Sequence, residues 1–267
     1  MSDDTRTGGA AGSESTLDTP SSGLPTSSTS APPENGTRGE TADLRADALA
    51  DAGSYVPGSD GVTESGTIVI DCSTAIPSST VKIAERVAAA DGQFLDAAMT
   101  RTPKEAAEGR LNLIVGAPDE LFRDVLPLLQ DFAENITHGG PVGSGHKLKL
   151  LHNYVSLGFT AVLAEASSAA RHAGIADDVF LEVLGNGGGA GVVLERLRPF
   201  IAADDPSGFR FSLANTLKDV GYYNAMAEDV KAPHRVAKAI EALYREVNDH
   251  GHGDRLAPEL IRILEKS

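Results

Sequence analysis

"GPVGSGHKLKLLHNYVS" spans residues 140–156, and the chain before it differs in kind from the chain after it. Glycines at 140, 143 and 145 lead into a stretch, Gly143 to Ala173, that holds no proline and is long enough for one helix of roughly 45 Å. Helix positions i, i+3, i+4 and i+7 share a face, so Lys149, His152, Asn153 and Ser156 form a polar strip on an otherwise apolar element. A lysine on such a strip reaches out to solvent, bonds a carboxylate, or takes part in chemistry. The glycines weigh toward the last, because they let a ligand approach the helix start, where backbone N–H groups favour an anion or a carbonyl oxygen. Apolar residues lie on nearly every face of the stretch, which is therefore expected to be buried between domains or subunits.

Upstream, the pattern is β/α. "GTIVIDCST" (66–74) is a β-branched apolar run that ends in Asp71, Ser73 and Thr74, the signature of a buried strand delivering polar groups at its C-terminal end. Pro77 can open a helix that runs to about Ala90, with Val81, Ile83, Ala84 and Val87 at helical spacing. "QFLDAAM" and "RLNLIVG" read as strands, and Pro118 to Phe132 as a helix before "NITHGG". Downstream only helices are expected, over 176–184, 191–202, 212–229, 231–248 and 255–265, with turns at "GNGGGAG", "DDPSG" and "DHGHGD". Residues 1–56 are rich in Ser, Thr, Gly, Pro and Asp and are expected to form a disordered tail, with a short helix suggested at 48–56.

Composition narrows the partners. With 267 residues and a formal net charge of −15, the chain lacks the clustered cations that nucleic acid requires, and an anionic ligand needs a dedicated positive group. Cys72 is the single cysteine, so no intrachain disulfide forms, and a cytoplasmic location is the expectation. The N-terminus lacks a basic region followed by an apolar one, and nowhere do about 18 apolar residues run on, so neither export nor a membrane span is expected.

Residues 140–153 resemble the Gly-x-x-Gly-x-Gly-x-x-x-Lys-x-x-x-Asn signature of the β-hydroxyacid dehydrogenases, the group that contains 3-hydroxyisobutyrate dehydrogenase. Gly140, Gly143, Gly145, Lys149 and Asn153 fall on it. "DCSTAIP" resembles the family's strand end, where a serine meets the substrate carboxylate. Residues 96–109, "DAAMTRTPKEAAEG", resemble its substrate-binding stretch at Asp96, Ala106 and Gly109, but Arg101 and Thr102 stand where two glycines are usual. "FSLANTLKDVGYYNAMAED" (211–229) resembles the helix whose Lys-Asp pair, here Lys218 and Asp219, lies near the cofactor. The ending around "HGHGD" also matches, so the resemblance covers about 57–265.

What the resemblance implies is an α/β fold: part of a Rossmann-like sheet over 57–142, then an all-α domain over 143–267 joined by a long interdomain helix. It also implies a reaction with NAD or NADP in which Lys149 is the acid–base group and Asn153 orients the lysine or the substrate. Ser73, Thr74, Arg101, Thr102, His152 and Ser156 would bind a small anionic hydroxy acid or aldehyde, and Lys218, Gly143 and Gly145 would lie at the cofactor. Arg101 adds a planar cationic fork suited to carboxylate, phosphate or sulfonate, and the Arg-Thr pair resembles the sulfolactaldehyde reductase branch, where Asn rather than His152 is usual.

A dinucleotide-binding domain should open with a strand, a Gly-x-Gly-x-x-Gly turn and a helix, and residues 1–65 show none. A truncated or frameshifted gene, with cofactor binding impaired, is the favoured reading; a fragment that works without its own cofactor domain is the other. Gly185, Gly187 and Ala190 fit Gly-x-Gly-x-x-Ala, but a helical segment precedes them where the motif requires a strand. His250, His252 and Asp254 have metal-like spacing, yet a glycine-rich loop explains them, and no metal is expected. A non-catalytic module that dimerises through the helical domain is the alternative to an enzyme, and homo-oligomerisation through that domain is expected in either case.

Overall fold

The computed structural model describes residues 65–266. The tail over 1–56, the helix suggested at 48–56 and the domain start at 57 lie outside them. Strands β1 (Ile68–Asp71), β2 (Gln93–Thr100), β3 (Leu111–Gly116) and β4 (Ala133–Gly140) form one sheet in the order β1-β2-β3-β4. Helices α1 (Pro77–Ala89) and α3 (Asp119–Gln130) carry the parallel crossovers β1 to β2 and β3 to β4. Between β2 and β3 the chain has only α2 (Pro103–Ala107), too short for a crossover, and those two strands pair antiparallel. The Rossmann-like sheet is therefore mixed. α3 buries Leu121, Val125 and Leu129, one face at i, i+4 and i+8, in a core with Leu113 and Val115.

The pairing aligns Asp71, Asp96, Gly116 and Gly140 in one row across the sheet. The long helix α4 (Ser144–His172, 29 residues) begins on that row. The Asp96 side chain, fully buried, accepts hydrogen bonds from the backbone N–H of Gly143 at 2.6 Å and of His146 at 2.7 Å. An acid here satisfies donors that no helical carbonyl can reach and lies at the positive end of the helix dipole. Gly143 has φ +88°, a left-handed conformation that a side chain would strain. A Cβ on Gly145 would come within 2.7 Å of Asp96 Oδ2 and still closer to the carbonyl of Ile114. At Gly145 the backbone thus lies close against the chain's own sheet.

Helices α5 (Asp177–Gly185), α6 (Val192–Ala203), α7 (Leu213–Asp229), α8 (Arg235–Val247) and α9 (Leu260–Leu264) complete the second half. Leu157, Leu194, Leu197, Ile201, Tyr244 and Leu260 share its core with neighbours from each helix. The Tyr244 hydroxyl donates to the carbonyl of Leu157 at 2.8 Å, so a phenol whose burial raises its pKa still has a partner. α8 begins at Arg235 rather than near 231, since Pro233 has no N–H and Lys231 takes a left-handed φ of +58°. The expected helix 255–265 is a 3-10 turn, Ala257–Glu259, followed by α9.

Replacing Asp96 with Ala leaves two buried N–H groups without acceptors. We expect a loss of about 2–4 kcal/mol in urea denaturation, from the cap and unsatisfied-donor magnitudes. A loss below about 1 kcal/mol would show that water replaces the cap.

Candidate active site

Of the four residues expected to form a polar strip on α4, Asn153 has a hydrogen-bond partner on α7, while His152 is exposed and contacts Asn153 itself. Tyr154 of α4 stacks on Tyr223 of α7 with centroids 4.1 Å apart. One residue before Tyr154 and one turn before Tyr223, Asn153 meets Asp219: its Nδ2 donates to Asp219 Oδ2 at 2.6 Å. Both side chains are buried. The Asn153 carbonyl then faces His152 Nδ1 at 3.0 Å, a contact that works only if Nδ1 carries the ring proton. Asp219 Oδ1 receives no hydrogen bond among the described residues. Lys218 Nζ stands 3.5 Å from it, an ion pair that lacks hydrogen-bond geometry, and lies 5.7 Å from the ring centroid of Tyr222.

Lys149 sits one turn before Asn153. Its amine has no hydrogen bond or ion pair among the described residues. Burial pushes the Lys149 pKa down; Asp219 opposes this, and the positive charges of Lys218 and of Arg196 on α6 add to it. This environment thus contains three cations and one carboxylate.

The other expected residues are placed less uniformly. Ser73 is exposed on the turn after β1, with its N–H donating to Asp71 Oδ1 at 2.9 Å, and Thr74 beside it is half-buried. Ser156 lies half-buried on α4, its carbonyl accepting from Thr160. The Arg101 guanidinium pairs with Glu134 and donates to the Arg110 carbonyl at 2.5 Å. No contact joins it to the Lys149 cluster among the described residues. Arg101 also has φ +83°, a conformation suited to the glycine usual there. Thr102 caps α2 in a capping box with Glu105, whose carboxyl those hydrogen bonds hold down at about 2. The glycines run from Gly185, the last residue of α5, to Gly191 before α6, so a helix and not a strand precedes them.

Two residues have roles that the sequence did not show: Asp96 was matched only to a substrate-binding stretch, and Arg196 was not singled out. Asp96 seats α4 from a position 47 residues before Gly143, a separation that no helix-cap pattern detects. Arg196 lies 47 residues after Lys149 on α6 and bears on it only through its charge, which no local sequence signal shows. A cavity of about 1090 Å³ near α8 and α9, lined by residues that include His250, His252 and Arg262, contains none of the Lys149 cluster. No three His, Cys, Asp or Glu side chains converge as a metal site among the described residues. No helix among them is long and apolar enough to cross a membrane.

Comparison with known proteins bears on both halves. Residues 48–140 match the family model described as the NAD binding domain of 6-phosphogluconate dehydrogenase, and residues 143–264 match NAD-binding of NADP-dependent 3-hydroxyisobutyrate dehydrogenase. An uncharacterized oxidoreductase of Synechocystis is 31% identical over 222 residues, covering 81% of this chain and 75% of that one. A 2-(hydroxymethyl)glutarate dehydrogenase of Eubacterium barkeri is 30% identical over 205 residues, covering 76% and 67%. The solved 3-hydroxyisobutyrate dehydrogenase of Mycobacterium tuberculosis with L-serine has the same fold, with a TM-score of 0.69 at 23% identity, covering 75% of this chain and 71% of that one.

The depressed Lys149 pKa has a signature in stability. The unfolded chain keeps the lysine proton up to about its ordinary 10.5, whereas the folded chain releases it earlier, so stability should rise as pH climbs through the folded value toward 10.5. Lys149→Met removes the buried charge and should be the more stable protein at neutral pH, with the gap closing across that window. Urea denaturation at three pH values measures it; a constant gap would mean that the amine is solvated.

Proposed function

This chain belongs to the β-hydroxyacid dehydrogenase family of 3-hydroxyisobutyrate dehydrogenase-like proteins, and from that premise we propose that it is an NAD(P)-dependent oxidoreductase interconverting a small anionic hydroxy acid and its aldehyde. The observation that carries the reading is Lys149: a half-buried amine with no hydrogen bond of its own, next to a buried Asn153–Asp219 pair. The chemistry of the group fits a nicotinamide cofactor, because hydride transfer to a carbonyl needs one proton on oxygen and a positive charge beside it. Lys218 on α7 would face that cofactor. The cofactor, when bound, supplies the hydride and accepts it in reverse.

In the reducing direction Lys149 gives its proton to the carbonyl oxygen, and the alcohol O–H forms as the Lys149 N–H bond breaks. In oxidation the neutral amine takes the hydroxyl proton. Burial makes the ammonium a stronger acid than an exposed lysine, and before transfer its charge steadies the developing alkoxide. Asp219 favours the ammonium form against that burial. Asn153 positions Asp219, and so acts on the lysine through the carboxylate. Ser73 and Thr74 offer hydroxyls on the turn after β1 for the acid end of the substrate.

A further feature supports assembly. On α4, Leu148, Leu151, Val155 and Val162 make an exposed apolar stripe at i, i+3, i+7 and i+14, with Val155 67% accessible. We take this face to pair with a second copy of the chain. Light scattering should give a dimer mass that Val155→Glu with Val162→Glu reduces to that of a monomer; a monomer before substitution would refute the pairing.

The catalytic reading is tested with the purified chain by calorimetric titration with NADH and NADPH and by reduction of small anionic aldehydes. Lys149→Ala should lower kcat by about 10²–10⁴, the range of general acid catalysis, and leave cofactor binding within about twofold. Full activity in that variant would take the proton-donor role from Lys149.

A further inference from the structure

His146 is the one fully buried histidine among the described residues, and the chemistry assigned to Lys149 does not use its ring. It stands three residues before Lys149, on the same face of α4. Three other elements meet around the ring. α1 supplies Thr80, whose Oγ1 lies 2.7 Å from Nδ1. β2 supplies Asp96, whose Oδ2 is 3.9 Å from the same nitrogen. β1 supplies Asp71, whose Oδ2 is 4.0 Å from Nε2. Nε2 itself is buried and makes no hydrogen bond among the described residues.

The contacts decide where the ring proton sits. The Thr80 hydroxyl has one other acceptor, the Ile76 carbonyl, at 3.4 Å. Its contact with Nδ1 is much shorter, so the hydroxyl donates there and the ring proton is on Nε2. Asp96 makes no claim on that proton, because each of its oxygens already accepts a backbone N–H of α4. A proton on Nε2 turns a donor toward Asp71, whereas the other tautomer would set a buried lone pair against a carboxylate. At 4.0 Å the two attract without forming a hydrogen bond. His146, Thr80 and Asp96 are shut in the interior, while the Asp71 side chain is 21% accessible, so Asp71 is the partner with room to move. Its other oxygen, Oδ1, accepts the Ser73 N–H at 2.9 Å. One carboxylate therefore stands between a fixed ring on α4 and the backbone of the turn that carries Ser73 and Thr74.

We propose that His146 is a positioning residue: its Nε2–H holds Asp71, and through it the turn 72–74, where that turn meets the acid end of the substrate. The proposal rests on the reading of Ser73 and Thr74 as the hydroxyls for that acid. α4 then sets both ends of the substrate, the carbonyl through Lys149 and the acid through His146 and Asp71. The donor has a second effect. A carboxylate beside an anion-binding turn repels the ligand, and an N–H directed at it offsets part of that charge.

Two substitutions in the full chain divide the ring between its nitrogens. His146→Gln reaches as far as Nε2 and keeps a donor toward Asp71; His146→Asn reaches only as far as Nδ1 and keeps the Thr80 contact alone. In calorimetric titration with glycolate, His146→Asn should bind about tenfold more weakly than the unsubstituted chain, and His146→Gln within about twofold of it. Equal losses in both would mean that the ring only fills space, and no loss in His146→Asn would mean that Asp71 needs no donor; either result overturns the proposal. So does an unsubstituted chain that binds no glycolate. Asp71→Asn combined with His146→Asn should weaken binding no further than the worse single change, and additive losses would show that the two act apart and sink the idea. Nitrogen-15 NMR of labelled histidines reads the tautomer without any ligand. The His146 signal, assigned by its loss in His146→Asn, should show a proton on Nε2, and a proton on Nδ1 alone refutes the assignment. In kinetics, His146→Asn should raise KM for glyoxylate about tenfold and keep kcat within about threefold. A fall in kcat with KM unmoved would place His146 with the proton donor and overturn its positioning role. Activity retained in Lys149→Ala would remove the proton donor yet leave the glycolate and NMR results standing, so the two readings fail separately.

Discussion

The buried side chain of Asp96 seats the interdomain helix on the sheet, and the placement of Lys149 follows from it. Two N–H groups of the first turn of α4 donate to that one acid. The bonds fix both where the helix begins and how it is rotated, because Gly143 and His146, three residues apart, share the face that must meet Asp96. Gly116 lies opposite Asp96 in the register, and a Cβ there would strike the Ser144 and Gly145 nitrogens at 2.8 Å. His146 adds a lateral constraint: its Nδ1 meets Thr80 Oγ1 of α1 at 2.7 Å. With the first turn held from two sides, the amine one turn further on has little freedom of origin. A change of one residue in that register would rotate Lys149 by about 100°.

Held this way, α4 serves two cores at once. Its first turns lie on the sheet, while Leu157, Ala161, Leu163 and Ala164 belong to the helical core. The Tyr154–Tyr223 stack and the Asn153–Asp219 bond join it to α7 between those regions. The functional cluster therefore sits where sheet-anchored and bundle-anchored constraints meet. Precision of this kind comes from rigid elements rather than from loops.

Much of this was legible in the sequence. The glycine pattern and the absence of proline fixed the limits of α4 to within a residue at each end, and the i, i+3, i+4, i+7 rule put Lys149, Asn153 and Ser156 on one side of it. The alternating register that sets β2 antiparallel to β3 was not legible, since strand periodicity is the same in either direction and only the shortness of α2 decides. Gly143 and Gly145 show the limit of a motif: a glycine marks close approach and does not say to what. At Gly145 the approach is to Asp96 and Ile114, and a Cβ at Gly143 would meet Val81 and Pro77 of α1. Arg101 shows the same limit for charge, because the sequence displays a cation but not that Glu134, thirty-three residues away, stands against it.

Lys149 owes its character to how Asp219 is shared. A carboxylate free to pair with the lysine would hold the ammonium and resist proton transfer; none at all would leave burial to discharge it. Asn153 takes one oxygen of Asp219 as a neutral donor, and Lys218 competes for the other at 3.5 Å. What reaches Lys149 is a partial counter-charge, while Lys218 and Arg196 push the other way. Any anion entering the cluster alters that balance, since it adds the negative charge the cluster lacks and raises the proton affinity of the amine. In the proposed reading, a bound acidic substrate would help protonate the amine that donates to it, coupling recognition of the acid end to readiness for reduction. An uncharged aldehyde would arrive at a lysine less ready to give a proton, so discrimination can act on kcat as well as on binding.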